Sequence, residues 1–374
     1  MPLLLASGCS SLHDFFGSAP NKREAEVVVP LGERPVEEPI SANHFVLESP
    51  DQAVVGTPQV VYTTSNDTLA DLARTYGLGY DELIAANPDV DPWLPGEETP
   101  VLLPTQFIIP DVPREGIVLN IASKRLFYFP EVAEGQPAII KTFPIGIGRV
   151  GWETPLGNTQ VVSKARDPHW FVPLSVRQEH AELGDPLPSV VPPGPENPLG
   201  HRVLKLEMPG YLIHGTNQPY GVGMRVSHGC IRLYPENIEY LFELVEIGEP
   251  VLIINEPFLM AQADGEIYFE SHRPLEDDVV EPAERLDVLL EKWNGLTESG
   301  FAPRDIERAQ AIAERSNGMP VKISSRSDDD LLARARVVRN TVEVDPDAPT
   351  LAEVREMIDE AVREDDEELE VTAD

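Results

Sequence analysis

Apolar positions along this chain change period several times, and each change marks a segment. Between residues 58 and 105 they trace a strand, two helices and a strand. Val60-Val61-Tyr62-Thr63 reads as a short strand, and Asn66-Asp67-Thr68 supplies capping side chains before Leu69, Leu72, Ala73 and Tyr76 at helical spacing. Gly77 and Gly79 end that helix. Asp81 is expected to cap a second helix carrying Leu83, Ile84 and Ala86, which stops at Asn87-Pro88 because the residue before a proline avoids helical geometry. Val101-Leu102-Leu103 closes the unit as a second strand.

From about 110 to 275 the helical period gives way to strand patterns at 117–121, 125–129, 138–146, 159–163, 211–214 and 251–254. One helix interrupts them. It starts at Pro235, carries Ile238, Leu241, Phe242 and Val245 on one face, and is stopped by Gly248. A hairpin is expected over 256–273 with Asp264-Gly265 as its turn. Residues 276–374 return to helical spacing at 283–293, 303–315 and 351–362 and end in an acidic run. Residues 10–57 show no period, and Pro20, Pro30, Pro35, Pro39 and Pro50 make them an extended, proline-rich linker. The fold class read from this is α+β: a small βααβ domain, a β-rich, sandwich-like domain with one main helix, and an acidic helical extension.

Composition narrows the function. With 64 acidic against 29 basic residues the net charge is −35, so the chain has no means of binding nucleic acid or a membrane surface through basic patches. No apolar run is long enough to span a bilayer. Two cysteines, Cys9 and Cys230, exclude a disulfide-rich scaffold and a cysteine-rich zinc site. Residues 1–9, Met-Pro-Leu-Leu-Leu-Ala-Ser-Gly-Cys, resemble the remnant of a lipoprotein signal, although a charged start is missing and the apolar run is short, as if translation began upstream. Lipidation of Cys9 is therefore expected, with Ser10 favouring the outer membrane by analogy. Fatty-acid labelling should mark the full chain and not Cys9→Ala.

The densest chemistry lies at Ile213-His214-Gly215-Thr216-Asn217 and at Arg225-Val226-Ser227-His228-Gly229-Cys230-Ile231-Arg232. A nucleophilic cysteine needs a neighbouring imidazole and backbone N–H groups aimed at the developing oxyanion, and flanking glycines admit a substrate close to the backbone. The helix beginning at Pro235 would favour a thiolate at Cys230. A three-ligand zinc site of His214, His228 and Cys230 is the competing chemistry, and a buried structural thiol the third reading.

The second run resembles the signature of L,D-transpeptidases of the YkuD type: a histidine, a gap, then Ser-His-Gly-Cys-x-Arg. Phe143-Pro144-Ile145-Gly146-Ile147-Gly148, Glu153-Thr154-Pro155-Leu156-Gly157 and 190–200 extend the likeness to the proteobacterial ErfK/YbiS/YcfS/YnhG subgroup over about 110–275. The resemblance implies Cys230 as nucleophile, His214 as its base, Gly215 as the residue orienting that base, and His228 and Gly229 as the oxyanion loop. It implies Arg232 as a loop clamp or carboxylate contact, with Arg225, Ser227 and Asn217 near the substrate; local hydrogen bonding gives Ser227 a structural role as well. Residues 58–105 are similar to a LysM module, with Ser65-Asn66-Asp67 in place of that family's usual turn. This implies glycan contacts through Asn66, Asp67, Thr68, Asn87 and Pro88.

The implied enzyme is periplasmic and needs no metal or cofactor. It transfers an acyl group from a peptidoglycan stem tetrapeptide, with loss of D-alanine, to a second stem or to an outer-membrane lipoprotein. Its partners are stem peptides and glycan strands, and its membrane contact runs only through Cys9. The alternatives are an L,D-carboxypeptidase and a peptidoglycan-binding protein without activity.

Overall fold

The computed structural model describes residues 30–133, 135–278, 280–296, 303–323 and 329–343. The chain divides after Arg34, and the earlier unit contributes a short 3-10 turn at Leu31–Glu33. Cys9, the helix expected at 351–362 and the acidic terminus lie outside the described residues. Among the described residues no helix is long and apolar enough to cross a membrane.

The segment 110–275 is built on a nine-stranded mixed sheet. In spatial order its strands are His44–Val46, Ile139–Pro144, Arg125–Phe129, Gly116–Asn120, Pro250–Ile254, Gly157–Arg166, Arg202–Leu206, Leu212–His214 and Ile231–Arg232. The long strand Gly157–Arg166 joins two halves. Its first four residues pair with 250–253, its later residues pair with 202–206, and the register shifts between Val161 and Ser163. Such an irregularity increases local twist. Ile117, Leu126 and Phe143 of one half and Leu204, Ile213 and Ile231 of the other consequently share one core, which Ile238, Leu241 and Phe242 of the helix Pro235–Leu244 complete. The expected sandwich is thus one continuous sheet sharing a core between its halves.

The opposite face of 116–120 and 125–129 is buried too. Val118, Phe127, Phe129 and Ile140 join Leu69, Leu72, Tyr76, Leu83, Val101 and Leu103 of the 58–105 unit in a second core. Each such side chain contributes roughly 1.5–3 kcal/mol by leaving water, so this unit is packed onto the main sheet. Its helices, α1 (Leu69–Thr75) and α2 (Tyr80–Ala86), follow the sequence closely. Thr68 and Asp71 form a reciprocal capping box on α1. The cap of α2 differs: Gly79 precedes it, Glu82 accepts from the Gly79 N–H, and Asp81 lies inside the helix.

The contact with the loop at 222–223 is close. Tyr80 N donates to Val222 O at 3.2 Å. Gly223 has φ +90°, and a Cβ there would sit 2.4 Å from Tyr80 N; only glycine meets both demands. The segment read as an extended linker up to residue 57 contributes two strands, 44–46 on the main sheet and Val54–Gly56 paired with Gln106–Ile108. Edge pairing satisfies backbone groups that a bare linker would leave to water.

The described residues of the C-terminal extension pack against the elements before them. The hairpin Phe258–Ala263 and Glu266–Ser271 turns at Asp264-Gly265, both at positive φ, and packs under Leu286, Leu290, Ala309 and Ile312 of the helices Pro282–Leu296 and Pro303–Arg315. Strand Arg336–Val338 then pairs in parallel with Gln59–Tyr62, adding a third strand to the small unit.

Candidate active site

Strands Leu212–His214 and Ile231–Arg232 run parallel, with Ile213 opposite Ile231 and His214 opposite Arg232. This pairing brings the two motifs to one wall. A cavity of about 1000 Å³ is lined by His214, Cys230, Arg232, His228, Ser227 and Asn217, among others.

His214 is buried, 3 % exposed, and its Nδ1 lies 2.6 Å from the Gly215 carbonyl. A carbonyl only accepts, so Nδ1 carries the proton and Nε2 the lone pair. Burial, reinforced by the Arg232 charge, pushes the His214 pKa down to about 3 against the pull of the Gly215 and Leu199 carbonyls. The ring is therefore a neutral base over the whole working range.

Cys230 is half-buried, and its Sγ contacts the Gly210 carbonyl at 3.7 Å. Burial raises the thiol pKa; the Leu212 backbone N–H and Arg232 oppose it. The thiolate expected from the helix dipole is thus not the resting form. Four residues separate Cys230 from the helix that starts at Pro235, and a macrodipole fades within about a turn. The resting pair is a thiol beside a neutral imidazole. Alkylation of Cys230 by iodoacetamide should then rise about tenfold per pH unit through pH 6–8 and reach no plateau below pH 9. A plateau near neutrality would reveal a preformed thiolate–imidazolium pair.

Arg232 also lines the cavity, and its Nε is buried without a hydrogen-bond partner. Its backbone exchanges hydrogen bonds with Gly146 at 2.9 and 2.8 Å, which pins the strand following Cys230.

The loop carrying the thiol is held from within. Ser227 Oγ donates to the Cys230 carbonyl at 2.6 Å and accepts from Gly229 N at 3.2 Å. Thr154 Oγ1 donates to the Gly229 carbonyl at 3.0 Å. Gly229 has φ +97°, and a Cβ would lie 2.9 Å from Tyr211 Cε1. Its N–H, expected to face an oxyanion, is occupied by Ser227. The His228 and Cys230 N–H groups are the loop's other backbone donors beside the thiol.

Arg225 is placed differently from expectation. Its Nη2 pairs with Asp277 at 2.9 Å, its Nε donates to Gly148 O at 3.2 Å, and it does not line the cavity. Its guanidinium is held by an acidic partner from the extension instead. The zinc reading finds no support in the arrangement: among the described residues no three His, Cys, Asp or Glu side chains converge as ligands would.

Sequence reasoning missed Glu179, which accepts from His228, and Arg149, which pairs with the same carboxylate. Glu179 lies on α3 (Leu174–Glu182), a nine-residue helix that the pattern did not predict, because only Val176 of that helix is buried and no apolar stripe marks it.

The glycan residues also differ. Asn87 Nδ2 donates to Leu83 O and Leu102 O, and its Oδ1 accepts from Leu102 N, all at 2.8 Å. Asp67 accepts from Thr64 N and Asn340 Nδ2, and Thr68 caps α1. These three brace the unit, because a buried polar group must find internal partners. Asn66 and Pro88 are exposed.

A family model described as the YkuD L,D-transpeptidase catalytic domain matches residues 114–253. The probable L,D-transpeptidase YcfS of Escherichia coli K12 is 37% identical over 294 residues, 76% of this chain and 89% of that protein. The probable L,D-transpeptidase YbiS of the same strain is 38% identical over 293 residues, 76% of this chain and 93% of that protein. The solved Ldtfm-avibactam carbamoyl enzyme is 24% identical over 38% of this chain and 50% of its own, with a TM-score of 0.29, and the assignment rests on the sequence relatives instead. With a nucleophile motif in a cavity and relatives matched along nearly their whole length, the chain belongs to the YkuD family of L,D-transpeptidases.

Proposed function

We propose that this L,D-transpeptidase acylates Cys230 with a peptidoglycan stem tetrapeptide and passes the acyl group to an amine, while the 58–105 unit holds the adjoining glycan as a LysM module. The observation that carries this reading is the strand pairing that sets a thiol, a neutral imidazole and a guanidinium with a partnerless Nε on one cavity wall. His214 Nε2 takes the Cys230 proton as Sγ attacks the carbonyl of the third stem residue, a diamino acid. The oxyanion faces the N–H groups of His228 and Cys230. The bond to D-alanine then breaks, and its nitrogen leaves with the proton from His214. An acceptor amine attacks the thioester, His214 takes its proton, and Sγ departs and recovers that proton from His214. Arg232 is suited to a substrate carboxylate. No metal or organic cofactor enters the scheme.

The expected acceptor is the side-chain amine of a second stem, giving a 3→3 cross-link; a lipoprotein lysine or water are the other acceptors. Mass spectrometry of the protein with a disaccharide tetrapeptide should find an adduct on Cys230, free D-alanine and a cross-linked dimer. Tripeptide alone would mean hydrolysis, or a missing protein acceptor. A folded protein that forms no adduct and still binds sacculi would be a binding protein.

For the glycan, loops 63–68 and 88–99 lie together through Leu69 N to Pro92 O and Glu98 N to Thr63 O, at 2.8 and 2.9 Å. Between them they expose Asn66, Pro88 and Trp93, the last at 42 %. An exposed indole offers a flat apolar face to a sugar ring. Because this unit shares a core with the catalytic sheet, a point variant tests it better than a deletion. Trp93→Ala should lower retention on purified sacculi several-fold, and equal retention would reject the assignment. The same reading places the protein in the periplasm, tethered through a lipid on Cys9.

A further inference from the structure

Helix α3 borders the cavity with little to hold it. Val176 and the preceding Val172 are buried, whereas Leu174 and Leu183 are 60 and 75 % exposed. A second attachment is polar. Glu179 pairs with Arg149 Nη2 through Oε1, and its Oε2 lies 2.7 Å from His228 Nε2. Arg149 Nη2 is 3.2 Å from that same ring nitrogen.

The chemistry of these three groups settles the tautomer. A carboxylate only accepts and a guanidinium only donates. Burial lowers the His228 pKa from its ordinary value against the pull of Glu179, which keeps the ring neutral at working pH; Nε2 therefore carries its one hydrogen toward Glu179 at the shorter distance, and the Arg149 contact is a packing of two donors around one carboxylate. The Arg149 and His228 donors hold the Glu179 carboxyl down to about 2, so it is ionised at any working pH. Trp152 meets the His228 ring edge-on with centroids 4.8 Å apart, and the His180 ring lies 6.1 Å away. His228 is two residues before Cys230 and lines the same cavity.

We propose that Glu179 is a positioning residue for acyl transfer: it fixes His228 as the Nε2–H tautomer, leaves Nδ1 as the ring's one acceptor, and in the same contact fastens α3 along the cavity. The proposal rests on the acyl-transfer reading at Cys230 for its kinetic consequence, and on the His228 geometry alone for its spectroscopic one.

The experiment uses the full chain with 15N-labelled histidine. His228 signals are identified by their loss in His228→Gln. Wild type should show a protonated Nε2 and an unprotonated Nδ1. Glu179→Ala should show exchanging tautomers and lose roughly ten- to a hundredfold in kcat, the scale on which misplacement of a reacting group acts. Glu179→Asp should recover part of both. Iodoacetamide should still alkylate Cys230 in Glu179→Ala, which separates lost positioning from a lost nucleophile. A folded Glu179→Ala protein with the wild-type tautomer, or with the wild-type kcat, would overturn the proposal. The tautomer measurement needs no substrate, so it remains decisive if the acyl-transfer reading itself fails.

Discussion

Cys230→Ala is expected to release no D-alanine from a disaccharide tetrapeptide above background, and His214→Gln to lose about 10²–10⁴-fold in rate, the usual weight of a positioned general base. The reason for the first is chemical. Cys230 is the free thiol among the described residues and faces a cavity shared with His214. Its removal leaves no nucleophile, while the half-buried position costs little packing. The reason for the second is electrostatic. The raised thiol does not ionise unaided at neutral pH, so attack depends on His214 removing the proton during the step. Glutamine approximates the buried ring's volume and keeps a hydrogen-bond donor near the Gly215 carbonyl. Release of D-alanine by Cys230→Ala at a sizeable fraction of the wild-type rate would remove Cys230 as the nucleophile.

Glu82→Ala is expected to destabilise the protein by about 3–5 kcal/mol, because it strands a buried guanidinium. Arg125 Nη2 lies 2.6 Å from Glu82 Oε2, and the two side chains are 2 and 7 % exposed. Arg125 also donates to Thr142 Oγ1 at 3.2 Å and stacks over Phe107 at 4.0 Å, and neither contact neutralises its charge. At roughly 2–4 °C per kcal/mol the midpoint should fall by about 6 °C or more. Replacing both partners, Glu82→Leu with Arg125→Met, should restore most of that loss, since an apolar pair has no charge to strand. A midpoint shift under about 1 °C for Glu82→Ala would show that water reaches Arg125. The pair joins the start of α2 to the catalytic sheet, so this variant should also loosen the Tyr80–Val222 contact beside the catalytic loop.

Several features are legible in residue order alone. The helix at Pro235, the capping at Thr68, the hairpin turn at Asp264-Gly265 and the Ser227–Arg232 motif all depend on neighbours within a few residues. Their sterics and hydrogen bonds are local, so residue order expresses them directly. The 116–120 and 125–129 strands are also legible as strands, as continuous apolar runs. That they are buried on both faces is implicit in those runs, but what covers the second face is not.

α3 is hidden from the pattern for a different reason. A helix that buries one side chain leaves no period to detect, and Glu179 shows its importance only through contacts with Arg149 and His228, 30 and 49 residues away. Arg225 and Asn87 take roles other than the expected ones because residue type permits several partners, and type alone does not choose among them. Asp277, 52 residues further on, takes Arg225; Leu83 and Leu102 take Asn87.

By itself, then, the sequence determined the local elements and the family, and singled out Cys230 and His214 as the candidate pair, because motif chemistry and short-range periodicity are written in adjacent residues. Only the tertiary structure decided that the small unit shares a core with the catalytic sheet, that 336–338 completes its β-sheet, that Ser227 captures the Gly229 N–H, and that Glu179 orients His228. Those outcomes depend on register and on which distant group reaches a buried donor or charge first, and both are settled when the whole chain packs.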